Sequence, residues 1–249
     1  MKLTFRIEYR TAWGESIGVM LQGQENSPIM LGTSDGIVWE GSEEMTDAPA
    51  GVPLTYRYGV FLDGQCSRRE SGTMAHIFCP SKKQKSHYIL NDTWKDLPMA
   101  SHLYSSAFSG NYSLENAPKD QCTGEGDIVF RALCPCLHHR KQILGICGRE
   151  EQLGYWNPDR AICMEEIQAN EWSTTLPAEG LQFPLEFKFI AVNAENGEVE
   201  EWETGNNHQL YLNDLRKGEI FYTKETEVQF ASMDRKIAGT AIPVFSLRS

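Results

Sequence analysis

The chain has 249 residues, 23 basic against 34 acidic side chains for a formal net charge of −11, and 41% hydrophobic residues. The negative balance argues against a nucleic-acid partner, because phosphate binding rests on clustered Lys and Arg, and no apolar run approaches the roughly 18 residues of a membrane span. Aromatics at 10% and charged residues at 23% exclude a disordered chain, and the length fits one large domain or two of ordinary size.

The opening segment, MKLTFRIEYR, alternates polar and apolar residues and reads as a strand, not as a signal peptide. Helical periodicity is nearly absent after it. Short runs rich in β-branched and aromatic residues predict strands at 3–9, 16–21, 36–40, 54–62, 74–78 and 86–91, each broken by Gly, Pro, Asn or Asp. Residues 92–126 carry Pro98, Gly110, Asn111, Pro118, Gly124 and Gly126 and read as a connector. Strand-like runs resume at 127–133, 142–148, 160–164, 171–176, 185–192, 197–204 and 209–212. So many short strands at this spacing predict an all-β chain of two sandwiches in tandem.

The two halves look like copies of one module. Each has a lone tryptophan before a Pro-containing turn, Trp39 and Trp172, and each has an aromatic–basic–aromatic triplet, Tyr56-Arg57-Tyr58 and Phe187-Lys188-Phe189. An acidic segment follows in each, at Glu70-Ser71-Gly72 and at Glu203-Thr204-Gly205. An internal duplication accounts for the pattern. The charge is unequal: residues 1–92 hold 9 basic and 11 acidic side chains, net −2, and residues 125–215 hold 6 and 16, net −10.

Seven cysteines, an odd number without an export signal, are expected to be reduced thiols in a cytoplasm. Cys134, Cys136, His138 and His139 cluster, but C-P-C is not the usual zinc spacing, so no metal is expected. Recognised catalytic motifs are missing, and adjacent acidic pairs such as Glu200-Glu201 point to opposite faces of a strand. No catalytic residue and no cofactor is expected in these residues. Trp156 and Trp202 stand out because they lie amid carboxylates and amides, which suits a dry core poorly; they read as a ligand platform or as surface rings lying over neighbouring chain. Lys188 alternates out of phase with Phe187 and Phe189 and faces away from them.

Residues 143–212 resemble a family-20 carbohydrate-binding module, the starch-binding domain. The resemblance rests on Leu153-Gly154-Tyr155-Trp156-Asn157, Trp172 before a Leu-Pro turn, Glu186-Phe187-Lys188-Phe189-Ile190, and Glu201-Trp202-Glu203-Thr204-Gly205-Asn206-Asn207. It implies an immunoglobulin-like antiparallel β-sandwich that binds α-1,4-glucans (starch, glycogen, malto-oligosaccharides). Trp156 and Trp202 would stack on the sugar, with Lys188, Glu203 and Asn207 at its rim. The loop His138-His139-Arg140-Lys141 lacks the aromatic of the family's second site. In the first half Arg57 matches Lys188, Glu70 matches Glu203 and Arg69 replaces Trp202, while Trp13 and Trp39 mark a possible second glucan site, with Trp39, the match of Trp172, reading equally as a core ring.

Two such modules in tandem are similar to the N-terminal part of the disproportionating-enzyme type of 4-α-glucanotransferase, or amylomaltase, of glycoside hydrolase family 77. The supporting residues are Leu90-Asn91-Asp92-Thr93-Trp94-Lys95-Asp96 and the segment 238–249. The implied organisation is a first module at 1–92, a linker at 93–125, a second module at 126–215, and a connector at 216–249 leading to a catalytic barrel that this fragment lacks. The partners expected are an α-1,4-glucan and that C-terminal catalytic domain, with no nucleic acid and no membrane. A glycogen-targeting module of a scaffold or phosphatase, or a protein-interaction sandwich, remains the alternative.

Overall fold

The computed structural model describes residues 1–45, 52–70, 75–78, 80, 87–96, 126–134, 137, 141–168, 170–212 and 215–232. Their secondary structure is β throughout, apart from two short 3₁₀ turns and a helical pair at Ala231 and Ser232. In chain order the first-half strands are β1 (Lys2–Glu8), β2 (Glu15–Leu21), β3 (Ile29–Met30), β4 (Gly32–Thr33), β5 (Val38–Glu44), β6 (Leu54–Leu62), β7 (Gln65–Arg69), β8 (His76–Phe78) and β9 (His87–Asp92). The second half has β10 (Asp127–Leu133), β11 (Gln142–Gly148), β12 (Ile162–Cys163), β13 (Glu165–Gln168), β14 (Glu171–Pro177), β15 (Leu185–Asn193), β16 (Val199–Trp202), β17 (His208–Leu210) and β18 (Glu219–Glu227).

Three sheets arise from these strands. β2 and β6 pair antiparallel and carry β3, β7 and β8; β11 and β15 pair in the same way and carry β12, β16 and β17. The third sheet is common to both halves, in the order β13-β14-β10-β18-β9-β1-β5-β4. Within it β1 runs antiparallel to β5 and parallel to β9, and β10 runs antiparallel to β14 and parallel to β18. The halves meet where β9 and β18, the last strand of each, pair in parallel over Glu219↔His87 to Tyr222↔Leu90.

The period-two alternation of a strand decides what this junction buries. On β10, Ile128, Phe130 and Ala132 enter the second core, where β11 and β15 supply Leu144, Ile146, Phe187 and Phe189. Val129, between them, enters the first core with Leu3, Phe5, Ile17, Val19, Tyr56 and Tyr58. β18 divides likewise: Ile220 belongs to the first core and Phe221 to the second. On β9, Tyr88 and Leu90 face the first core while Ile89 packs against the second. The central strands are therefore covered on both faces, which is why Ile128-Val129-Phe130 is an unbroken apolar run. Burying Val129 and Ile220 contributes about 1.5–3 kcal/mol each to a core built mainly by the other half.

Residues 219–227, assigned to the connector on sequence, are corrected here. They form β18, which lies between β10 and β9, so the second sandwich runs past residue 215. Among the described linker residues, Thr93 and Lys95 are also part of the folded structure. The Thr93 hydroxyl donates to Glu225 Oε2 at 3.0 Å, and Lys95 Nζ donates to Glu171 Oε1 at 3.1 Å.

These contacts belong to a buried ionic cluster at the junction. Tyr56 and Tyr58 both donate to Asp92 Oδ2 at 2.7 Å, and Arg131 Nη2 donates to Asp92 Oδ1 at 2.9 Å. Arg131 Nη1 reaches Glu225 Oε1 at 3.2 Å, and His76 Nδ1 lies 3.4 Å from the same oxygen. Burial disfavours charge on His76, but Asp92, Glu225 and Glu70 outweigh it and raise its pKa to about 9. Burial likewise opposes ionisation of Glu225, yet Arg131, Lys95 and His76 hold its pKa well below the usual range. Cations and carboxylates from both halves thus neutralise one another away from water, the arrangement that makes removal of a single partner costly.

Candidate functional site

The site begins at the exit of β11. Gly148 admits no side chain, since a Cβ there would lie 2.5 Å from Glu186 O and 2.7 Å from the Leu153 side chain. The chain then makes a 3₁₀ turn, Glu151–Leu153, anchored by the fully buried Leu153. Gly154 follows with φ 84°, and Tyr155 and Trp156 keep φ positive at 55° and 60°. Such φ values strain bulky residues. The backbone holds them: Trp156 N–H donates to Gly148 O at 2.7 Å, and Tyr155 N–H to Glu150 O at 3.2 Å. Asn157 then caps the second 3₁₀ turn, Pro158–Arg160, accepting from Asp159 N–H. Three successive left-handed residues carry the Trp156 indole to the surface edge of β11.

Trp202 reaches the same place from the other side. It ends β16, stands opposite Ile190 of β15, and remains 36% exposed. The two indoles lie 6.5 Å apart between ring centroids, inclined by 40°. They form a splayed pair of aromatic faces.

The polar residues expected around them play distinct parts. Lys188 faces outward on β15 while Phe187 and Phe189 enter the core. Its ammonium donates to Glu203 O at 3.1 Å and Gly205 O at 2.8 Å, fixing the turn after Trp202 and leaving its third N–H outside these two bonds. Asn207 is exposed and its amide donates to Glu186 Oε1 at 2.8 Å. Glu203 is 5% exposed, and its carboxylate is engaged inward. Oε1 accepts from Phe189 N–H at 2.7 Å, and Oε2 lies 2.9 Å from His208 Nε2. The structure therefore brings Trp156 and Trp202 together, with Lys188 and Asn207 beside them, and sets Glu203 behind the turn as a strut.

Trp13 and Trp39, named together by the sequence reading, differ in exposure. Trp13 is fully exposed on the turn between β1 and β2, whereas Trp39 is 5% exposed and belongs to the first core. The Trp39 indole N–H donates to Tyr9 O at 3.2 Å. Trp172 is its counterpart: buried, with its N–H donating to Cys134 O at 3.3 Å. In both halves this ring is a core element, the second of the two roles the sequence left open for Trp39. Sequence reasoning missed Tyr155, an exposed ring beside Trp156 with the Arg160 guanidinium 6.0 Å from its centroid. Its signal was its place in the same unusual turn.

Cys136, His138 and His139 lie outside the described residues, and Cys134 is buried. Among the described residues, Cys66, Cys147 and Cys163 are free thiols. Among the described residues, His76, Asp92 and Glu225 bring three possible ligand atoms within 4.8 Å of one another. Arg131 already serves both of those carboxylates and Lys95 lies 3.5 Å from Glu225, so this group is an ion network rather than a metal centre. No helix among the described residues is long and apolar enough to cross a membrane.

Residues 127–221, which hold the indole pair, match the starch binding domain family, the twentieth family of carbohydrate-binding modules. The match extends into β18. Over 99% of its length this chain is 24% identical to the 4-α-glucanotransferase DPE2 of Oryza sativa subsp. japonica, of which it spans 28%. A glycoside hydrolase family 15 glucoamylase from Hypocrea jecorina is similar at 21% identity and a TM-score of 0.35, over 41% of this chain and 17% of that one. The family 20 module of a maltotetraose-forming amylase from Pseudomonas saccharophila STB07 is similar at 21% identity and a TM-score of 0.30, over 38% and 98% of the two chains.

Proposed function

With residues 127–221 taken as a starch binding domain, we propose that this module captures α-1,4-glucans by stacking them on Trp156 and Trp202. The observation that carries the reading is the tilted indole pair, 6.5 Å between centroids, presented by a strained turn and a strand end. A glucose ring offers an apolar face of C–H groups and a rim of hydroxyls. Two inclined indoles accept two such faces along a curved chain, and each stack is worth about 1–3 kcal/mol by analogy with base stacking. The remaining N–H of Lys188 and the exposed Asn207 amide supply rim hydrogen bonds. Glu203 is a positioning residue: it holds β15 and the turn that carries Trp202.

From the similarity to the rice 4-α-glucanotransferase, of which this chain spans 28%, we infer that it belongs to a protein with a catalytic domain of that type. The binding module would keep a polymer at high effective concentration beside that domain. Retention on insoluble starch tests the proposal. Wild-type protein is retained, and the Trp156→Ala, Trp202→Ala double variant is released. Undiminished retention of the double variant refutes the site.

A further inference from the structure

The first module has a pocket where the second has its indole pair. The strand registers establish the equivalence. Arg57 stands opposite Met20 as Lys188 stands opposite Cys147, and Arg69 stands opposite Gly59 as Trp202 stands opposite Ile190. Arg57 therefore occupies the place of Lys188, and Arg69 the place of Trp202. A pocket of about 140 Å³ opens there, lined among others by Gln22, Glu25, Thr55, Arg57, Arg69 and Glu70.

The duplicated position has exchanged an indole and an ammonium for two guanidinium groups. Glu70 is fully buried, and its oxygens are spent inward on Tyr58 N–H, Lys95 N–H and His76. Glu25, at the rim, accepts from Gly23 N–H at 2.9 Å. Two guanidinium groups and two carboxylates therefore line the pocket, and of the carboxylates Glu70 is engaged by His76 and two backbone N–H groups while Glu25 stands at the rim. Guanidinium forks match the oxygens of a phosphoryl group, which they bind bidentately. The volume is well below the roughly 300–1,000 Å³ of pockets that enclose larger ligands, and suits one such group.

We infer that the first module binds a phosphoryl group at this pocket, as phosphate or as a sugar monophosphate. Arg57 and Arg69 clamp the anion, and Thr55 and Gln22 add neutral hydrogen bonds. The inference takes only the position from the glucan reading and is tested separately from it.

The experiment is a titration of the intact chain with inorganic phosphate and with glucose 6-phosphate, followed by calorimetry and phosphorus NMR, with maltose as the neutral control. Saturable binding that weakens as salt is raised is expected. Arg69 lies on the exposed strand β7, so Arg69→Gln should keep the fold and weaken binding by about tenfold. Glu25→Gln should strengthen it. Tighter binding of the sugar phosphate supports a phosphorylated sugar, and equal binding supports the phosphoryl group alone. No response at tens of millimolar phosphate, affinity unmoved by both substitutions, or tighter binding of maltose overturns the inference. Failure of the unsubstituted chain to be retained on starch, with an intact phosphate response, refutes the glucan reading alone.

Discussion

Glu70 and Glu203 occupy the same place in the two modules. Each carboxylate accepts the N–H of an aromatic residue on the central strand at 2.7 Å, Tyr58 or Phe189, and each meets a histidine Nε2 at 2.9 Å, His76 or His208. A strand N–H that would otherwise be orphaned is satisfied by a side chain from the neighbouring hairpin. Replacing Glu203 with alanine leaves that N–H buried without an acceptor, at a cost of about 1–3 kcal/mol in stability. Glu203→Gln retains an amide oxygen for the N–H and should recover more than half of the loss. Chemical denaturation measures both. A Glu203→Ala protein of native stability that has lost starch affinity would show that the carboxylate touches the ligand directly.

Trp156 and Trp202 should be separable from the fold. Each single alanine substitution should weaken binding of a malto-oligosaccharide by roughly 5- to 150-fold, the range set by one stacking contact. Trp202→Ala should leave the melting temperature within a few degrees, because that ring ends a strand and is partly exposed. Trp156→Gly is more informative. It relieves a non-glycine residue at φ 60° and should hold or raise stability while abolishing its share of binding. Fluorescence titration and thermal melts of the same preparations check both outcomes.

The sequence displayed the strands of the sandwiches well where the apolar and aromatic residues run nearly unbroken. Residues 54–62, 127–133 and 142–148 coincide with β6, β10 and β11. β18 was missed for a physical reason. Ile220 and Phe221 enter different cores, and Glu225 further along is buried against cations from elsewhere in the chain, so no single face shows a clean alternation. The indole pair was legible from the polar company of Trp156 and Trp202. The inward turn of Glu203 was legible too, in retrospect. Trp202 ends β16 facing outward, and alternation along an extended chain turns the next residue inward. Trp39 illustrates the converse: its mixed segment left a core and a binding role open, and the partner strand, pairing Ile7 with Trp39, places the ring against the core.

Stability should fall as pH rises through the range between the ordinary and the native pKa of His76. The histidine is buried beside Glu70, Asp92 and Glu225, and its pKa is raised from 6.5 to about 9. A base whose native pKa is raised stabilises the fold fully below its unfolded pKa and loses that contribution as pH climbs through the native one. The loss is on the order of 3 kcal/mol between pH 6.5 and 9. His76→Gln removes the proton from the cycle, so its unfolding free energy should be flatter over this interval even though its absolute stability is lower. Parallel slopes for the two proteins would mean that His76 is neutral in the folded state.

The shared sheet makes the two sandwiches one folding problem. Ile220 lies on a strand of the second half, yet it is buried in the first core beside Tyr88 and Leu90. Ile220→Ala should therefore cost about 2–5 kcal/mol, and the loss should appear in the melting of the first core as well as the second. Phe221→Ala, one residue along, should cost about 3–5 kcal/mol through the second core. A chain ending at residue 215 lacks β18 altogether. It strips β9 and β10 of their common partner, leaves Arg131 without Glu225, and exposes Val129 on one face and Ile128 on the other. Such a fragment should fail to unfold cooperatively, whereas one ending at residue 232 should show a single transition. Two independent transitions in the longer fragment, with Ile220→Ala affecting only the later one, would mean that the junction carries little of the fold's stability.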